Sequence, residues 1–242
     1  MGENFHKYEQ RGAYHWGFVS NHPFRHHCPT TARYKAVLNA LPDWQGRRVV
    51  DVGCGDGALS GWLVKEGARV TGVEPEDDGR ALAQGEFAKR GLGGTFISNL
   101  ADLPPNAFDV AVCSDVIEHV PDPLGLLADI RRVVKPGGMV VITTPVRLTE
   151  TPLDPHHVTE FFPSEFLELM EQQFVRVELS LEIPIAGLML YYWRPWFFLR
   201  RPVVTWFCNL LEILTGINLV EGITALDRYH HLQVATGFKE ST

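Results

Sequence analysis

The sequence predicts an α/β fold built on a mostly parallel sheet, and three observations carry that reading. From Val49 onward, short apolar runs alternate with amphipathic stretches, as strand–helix units do. Two of the runs, 108–113 and 139–144, are nearly continuous in apolar residues, as strands covered on both faces must be. The first run ends in a glycine-rich turn, Asp51-Val52-Gly53-Cys54-Gly55-Asp56-Gly57, which opens a helix over 58–65.

Five strands are expected in the first part of the chain, at 49–52, 70–73, 95–97, 108–113 and 139–144. Between the fourth and fifth, Asp122 can cap a helix and Pro123 suits its first position. Leu126, Leu127, Ile130, Val133 and Val134 form its apolar stripe, and Pro136-Gly137-Gly138 stops it. A further helix is expected at 163–172. Val175, Val177, Leu179, Leu181 and Ile183 then alternate with polar residues. Strict period two means one wet face, so this strand lies near a sheet edge or in an antiparallel pair. The last strand candidate is 232–236. Upstream of the first strand, 30–41 reads as helix and the residues before it as irregular.

Composition narrows the class. The 242 residues are 45% hydrophobic and 21% charged, which excludes a disordered, collagenous or coiled-coil chain. Lys and Arg number 22 against 29 Asp and Glu, a formal charge of −7, so no nucleic-acid partner is expected. Cys28, Cys54, Cys113 and Cys208 are scattered without a C-x-x-C pair, which reads as reduced thiols in a cytoplasmic protein. The first ten residues lack the apolar run of a signal peptide. The most apolar long stretch, 188–214, is broken by Arg194, Arg200, Arg201 and Glu212, so a protein that is soluble or at most surface-attached is expected.

The glycine turn lets a ligand approach the backbone closely, and Glu74 ends the second strand 23 residues after Asp51. An acidic group there can accept hydrogen bonds from both hydroxyls of a ribose, so a nucleoside-bearing cofactor is implied. Gly53-x-Gly55-x-x-Ala58 also satisfies a dinucleotide pattern. However, Asp51 precedes the glycines, where it can reach an ammonium, and Asp56 lies inside the loop, where it would repel a pyrophosphate. A nucleoside joined to an amino-acid zwitterion, without phosphate, fits both facts; S-adenosylmethionine is that molecule.

Five segments then fall in register. Val50-Asp-Val-Gly-Cys-Gly-Asp-Gly57, Gly72-Val-Glu-Pro75, Phe108-Asp-Val110, Glu118-His-Val120 and Val133-Val-Lys-Pro-Gly-Gly138 resemble the class I S-adenosylmethionine-dependent methyltransferases in order and spacing. The resemblance covers residues 48 to about 175 and, more loosely, the last strand. It implies a Rossmann-like seven-stranded sheet whose last strand runs antiparallel beside the fifth. It also implies that Asp51, Gly53, Cys54 and Gly55 line the methionine part of the cofactor, and Glu74 with Pro75 the ribose. Asn99 and Leu100 match the adenine edge, with Asn99 where most relatives have Asp. Ser114 and Val116 match the border between cofactor and acceptor.

Methyl transfer needs in-line alignment above all, and a hydroxyl acceptor also benefits from a base near the methyl group. If a helical turn follows the fourth strand, Asp115, Glu118 and His119 share one face. They can hold a divalent cation, or His119 can act as base with Glu118 orienting it, or the pair can be scaffold. The stretch is similar to the carboxylate-x-x-Glu-His set of ubiquinone-biosynthesis O-methyltransferases, a resemblance that implies a metal. His157, in Asp154-Pro-His-His-Val-Thr-Glu160, resembles the histidine that faces the acceptor in related small-molecule methyltransferases, with His156 the more exposed of the two. His22, His26, His27 and Cys28 look like a metal cluster by composition, but Pro23 and Pro29 argue for an irregular loop.

Three regions follow: an N-terminal segment over 1–47 whose Tyr8, Tyr14, His15 and Trp16 read as a helical lid, a cofactor-binding domain over 48–183 and 229–242, and an aromatic-rich insertion over 184–228. The insertion gathers Tyr191, Tyr192, Trp193, Trp196, Phe197, Phe198, Trp206 and Phe207 around Arg194, Arg200 and Arg201, with no acidic residue between Glu182 and Glu212. It reads as a substrate cap, a peripheral membrane contact or a homodimer interface. The expected function is methyl transfer from S-adenosylmethionine to a small acceptor with aromatic or apolar character, most simply at oxygen. The competing classes are a nicotinamide-dependent oxidoreductase and a non-catalytic cofactor-binding protein.

Overall fold

The computed structural model describes residues 7–150, 152, 154–193, 203–222 and 229–241. Two short helices, α1 (Lys7–Arg11) and α2 (Tyr14–Phe18), precede α3 (Cys28–Asn39). Alternating elements follow: β1 (Arg48–Val52), α4 (Ala58–Lys65), β2 (Arg69–Val73), α5 (Asp77–Arg90), β3 (Thr95–Ile97), β4 (Phe108–Ser114), α6 (Pro123–Val133) and β5 (Val134–Pro145). The chain closes with α7 (Pro163–Glu171), β6 (Val175–Pro184), α8 (Ile185–Tyr191), α9 (Val203–Thr215), α10 (Leu219–Gly222) and β7 (His230–Phe238).

All seven strands form one sheet in the order β3-β2-β1-β4-β5-β7-β6. The first five are parallel, and β7 runs antiparallel to both β5 and β6. This is the Rossmann-like arrangement the sequence implied. Period-two alternation divides the apolar side chains between two cores. Val49, Val110, Val112 and Val141 face a core shared with α3, α4 and α5. Val50, Ala111, Cys113, Val140 and Ile142 face a core that includes Leu127, Ile130 and Val133 of α6 and Phe166 and Met170 of α7. Strand β6 lies at the edge with one wet face, as its alternation requires.

Two local expectations need correction. Val134 and Pro136-Gly137-Gly138 belong to β5, not to a helix end and a turn. The chain bulges there, with Gly137 at a φ of +71° and the register to β4 shifted between Phe108 and Val110, while Gly137 N–H donates to the Lys239 carbonyl and Lys239 N–H to that of Gly138, so the residue after β7 closes the bulge. The N-terminal residues are not irregular either, since α1 and α2 form against the β1 turn. The predicted cap of α6 is present, with the Asp122 carboxylate accepting from Gly125 N–H at 2.9 Å.

Helix α9 is pinned to α3 through a buried polar network. The Glu212 carboxylate accepts from Thr31 Oγ1 at 2.9 Å and from Lys35 Nζ at 2.7 Å, and meets His26 Nε2 at 2.9 Å. Asn209 accepts from Tyr191 Oη and donates to the Pro23 and His26 carbonyls. His26 and Cys28 thus serve this network, and Cys28 Sγ lies 3.2 Å from Asn209 Oδ1. Burial alone would raise the Glu212 carboxyl, but His26, Lys35 and Thr31 draw it down to about 2. Among the described residues, no helix is long and apolar enough to cross a membrane.

Removing a partner from a buried charged network costs about 3 kcal/mol or more. Glu212→Ala is therefore expected to lower the urea midpoint by that amount with an unchanged slope. Because the folded carboxyl titrates below its ordinary value, Glu212 supports the fold fully above about pH 4.5. That support fades as the pH falls toward 2, and the acid unfolding midpoint of E212A should lose this dependence.

Candidate active site

The strand order reverses between β1 and β4, and open α/β sheets place ligands at the carboxyl ends of strands at such a point. Gly53 and Gly55 have φ of +72° and +55°, a left-handed backbone that non-glycine residues adopt only with strain. Space enforces the same choice: a Cβ on Gly53 would lie 2.3 Å from Val116 Cγ2, and one on Gly55 would lie 1.9 Å from the Tyr8 hydroxyl oxygen. The N–H groups of Gly53 and Cys54 both donate to the Val73 carbonyl, which ties the turn to the end of β2.

Glu74 is buried, with one oxygen accepting from Gly55 N–H at 2.8 Å and the other from Glu76 N–H at 3.0 Å. Each oxygen keeps lone-pair capacity for a ligand hydroxyl. Asp51 accepts from Ser60 Oγ at 2.6 Å; burial, opposed by that bond and aided by Glu74, raises its carboxyl to about 6. The Cys54 thiol packs toward Gly72 of β2, and burial raises its pKa.

A cavity of about 660 Å³ opens above the turn. Asp51, Gly53, Cys54, Ser114, Glu118, His119 and His157 line it, as the sequence reading gathered them, and so do Tyr8, Tyr14 and His15. Gly55, Glu74, Pro75, Asn99, Leu100 and Val116 lie outside this lining. The Asn99 carbonyl oxygen accepts from Ala101 N–H at 2.9 Å, and Leu100 is buried. Trp16 is no part of the lining; its indole donates to the Asp56 carbonyl at 2.7 Å, and its ring packs over Gly61.

The Asp56 carboxylate anchors the N-terminal segment, accepting from His15 N–H at 2.9 Å and lying 3.3 Å from His15 Nδ1. That is a second reason, invisible in the sequence, for an acid inside the glycine loop.

Across the cavity, a 3₁₀ turn spans Ile117–His119, and Asp115 precedes it with a φ of +52°. The expectation that Asp115, Glu118 and His119 share one face therefore fails. Asp115 lies outside the turn and pairs with Arg33. His157 takes its place: Glu118, His119 and His157 each offer a ligand atom within 4.8 Å of the others. The His119 and His157 rings meet edge to face at 5.0 Å. Glu118 does not serve as the orienting partner that the sequence reading gave His119. Its Oε2 accepts from Thr144 Oγ1, while His119 Nδ1 lies 2.9 Å from the His156 carbonyl. Burial and nearby Asp115 raise the Glu118 carboxyl to about 8, and its Oε1 is buried without a hydrogen-bond partner.

The sequence reading missed two residues. Glu160, buried, holds His157 Nδ1 at 2.7 Å. Arg33, in α3, lines the cavity beside Asp115 and keeps a buried Nε without a partner. A lone arginine in a helix reads as solvated, and only its 82-residue reach to Asp115 marks it. A second cavity, of about 490 Å³, shares His27, Thr30, Arg33 and Asp115 with the first and is walled by Ile183, Leu188, Met189 and Leu232.

A Rossmann-like sheet with a glycine-lined crevice at its switch point, a carboxylate at the end of β2 and a histidine–carboxylate cluster opposite defines a nucleoside-cofactor-binding α/β protein. Residues 24–183 match a family described as a methyltransferase domain, and the chain belongs to that family. It thereby belongs with the class I S-adenosylmethionine-dependent methyltransferases. It is 36% identical over 116 residues to a ubiquinone biosynthesis O-methyltransferase of Vibrio cholerae, covering 46% of this chain and 47% of the relative. The corresponding enzyme of Sodalis glossinidius is 32% identical over 165 residues, covering 60% and 66%. The chain spans about half the length of the first of these relatives.

Among solved structures, phosphoethanolamine N-methyltransferase 2 of Haemonchus contortus with S-adenosylmethionine bound superposes with a TM-score of 0.66 at 20% identity, covering 95% of this chain and 56% of that one. A methyltransferase of Thermotoga maritima, described as a possible histamine N-methyltransferase, gives 0.60 at 19% identity, covering 96% and 95%. At these identities the structural likeness establishes the fold.

Asp56→Ala removes the acceptor of the half-buried His15 N–H, a loss worth about 1 kcal/mol. Limited proteolysis should then cleave within residues 7–18 far faster than in the parent chain, while the sheet stays protected.

Proposed function

We propose that this protein transfers a methyl group from S-adenosylmethionine to a hydroxyl oxygen of a small acceptor with an apolar portion, with His157 as the base. The observation that carries this reading is the His157–Glu160 pair in a cavity floored by Asp51 and Gly53. With Nδ1–H donated to the buried Glu160 carboxylate, the neutral imidazole presents Nε2 as a proton acceptor. The acceptor oxygen forms a bond to the methyl carbon as the S–CH₃ bond breaks. Its proton passes to His157 Nε2, and S-adenosylhomocysteine leaves neutral at sulfur.

The cofactor is held by complementary charge. Asp51 faces the methionine ammonium, and Arg33 supplies a cation with an unpaired N–H for the carboxylate. Gly53 and Gly55 admit the chain between them, and Glu74, with Pro75 behind it, receives the ribose hydroxyls. Asn99 and Leu100 meet the adenine, and Ser114 and Val116 border the acceptor. An oxygen acceptor is supported by the relatives named as O-methyltransferases. An apolar portion is supported by the second cavity, which joins the first at Arg33 and Asp115.

A divalent cation is the second reading, favoured by the orphaned Glu118 Oε1. The donor set fits: one buried carboxylate and two imidazoles, each with its Nδ1 tied back to an oxygen of the protein. Glu118, His119 and His157 would hold the ion, which would polarise the acceptor hydroxyl as a Lewis acid. Without a cation, burial keeps Glu118 protonated at neutral pH, so that it acts as a hydrogen-bond donor and not as a base.

Three measurements test this. S-adenosylhomocysteine at about 100 times its Kd should stabilise the protein by roughly 2.7 kcal/mol in thermal unfolding. Stabilisation by NAD alone would overturn the reading. With an alkyl catechol as acceptor, His157→Ala should lower kcat by about 100-fold or more at unchanged cofactor Kd. Activity that survives excess chelator assigns the proton transfer to His157 alone, whereas loss restored by added divalent metal assigns it to the cation site. Finally, an ammonium prefers an ionised Asp51. Cofactor affinity should therefore fall as pH drops below about 6, approaching tenfold per unit. Asp51→Asn should bind weakly with a flat profile.

A further inference from the structure

The face of β5 and β7 that packs on α6 and α7 is apolar along most of its length, with Val140, Ile142 and Ala235 in the core. At the carboxyl end of β5 it turns polar. Thr144 and Gln233 stand opposite each other in register, and both are fully buried. Thr144 Oγ1 donates to Glu118 Oε2 at 3.0 Å. The Gln233 amide nitrogen donates to the Pro145 carbonyl at 3.1 Å and to the Phe161 carbonyl at 3.0 Å. Both of its hydrogens are therefore spent, and two facing carbonyls fix the nitrogen on that side. The amide oxygen, Oε1, is left buried with no hydrogen-bond partner. An unsatisfied buried acceptor costs stability that an apolar side chain of the same shape would not, and each such group calls for an explanation.

Its place in the chain supplies one. Pro145 closes β5 and Phe161 follows Glu160, so a single side chain clamps the two ends of the segment that carries His157. Arg147 N–H donates to the same Phe161 carbonyl, and the N–H groups of Val158 and Thr159 both donate to the Glu118 carbonyl. The Glu160 carboxylate in turn holds His157 Nδ1 at 2.7 Å. We propose that Gln233 is a positioning residue for methyl transfer: by fixing Phe161 against the end of β5 it sets where Glu160 points, and so where the His157 imidazole stands. This role rests on the reading of His157 as the base. Gln233 lies outside the lining of the cavity, so it acts through these residues and not on the acceptor. With Thr144 holding Glu118, one cross-strand pair governs both arms of the histidine–carboxylate cluster.

Gln233→Met keeps the length of the side chain and removes both donors together with the stranded oxygen, while the Phe161 carbonyl keeps the Arg147 N–H. With the alkyl catechol as acceptor, kcat should fall by roughly tenfold or more at unchanged S-adenosylhomocysteine Kd, because the base is misplaced and the cofactor side is not. In the His157→Ala background the same substitution should cost nothing further, since the two residues act as one unit. Gln233→Glu, kept neutral by burial and so retaining one donor, is the gentler second variant and should keep an intermediate kcat. Hydrogen exchange reads the clamp without turnover: the Arg147 and Val158 amides should exchange faster in Gln233→Met than in the parent. A parental kcat in Gln233→Met, a loss that multiplies with that of His157→Ala, or parental exchange would overturn the proposal. Parental activity in His157→Ala would instead overturn the base assignment, and the exchange result alone then decides the clamp.

Discussion

The site rests on a small set of backbone hydrogen bonds at the junction of β1 and β2. Two successive N–H groups of the glycine turn end on one carbonyl, that of Val73, and a third ends on the Glu74 carboxylate. The left-handed residues of the turn are tolerated because they are glycines, and the bonds hold them there. This lock fixes Glu74 relative to Asp51, so two buried carboxylates stand at a set separation beside the glycine turn. Mutual repulsion and burial are the cost of that arrangement, visible in the raised Asp51 carboxyl.

What surrounds the lock comes from outside the parallel sheet. Helix α3 contributes Arg33, the segment after β5 contributes His157 with Glu160, and the N-terminal helices roof the crevice. Helix α3 is itself braced by α9 through Glu212 and Asn209, and by Asn218 just before α10, so the cavity wall and the β6–β7 segment form one mechanical unit. Tyr192 adds a direct link, its hydroxyl 2.9 Å from His27 Nε2. The helices and loops outside the parallel sheet thus supply one wall of the cavity, and the turn after β1 supplies the other.

The legible parts of the sequence were those governed by period and local chemistry. Strands β1, β4 and β5 are readable from continuous apolar runs, α6 from its cap and stripe, and the crevice from its glycines. Tertiary contacts decided the rest. Helices α1 and α2 are too short to form alone and exist because Asp56 and the Gly61 surface receive them. Asp115 left its expected cluster because the turn after β4 is 3₁₀ and starts later than a helix would. His157 joined Glu118 and His119 across 38 residues, a proximity that no spacing rule contains. The inward polar face of α9 escaped notice because apolar residues at helical spacing read as core until the partner helix is seen. Arg194, Trp196, Phe197, Phe198, Arg200 and Arg201 of the expected aromatic–arginine cluster lie outside the described residues.

The Tyr8 hydroxyl packed over Gly55 joins the N-terminal helices to the crevice. Its ring also lies near Gly79 and Glu74, so the phenol covers the end of β2 while the cavity stays open beside Asp51 and Gly53. Because Asp56 holds α2 through His15, the same glycine turn that shapes the crevice also sets where its roof begins.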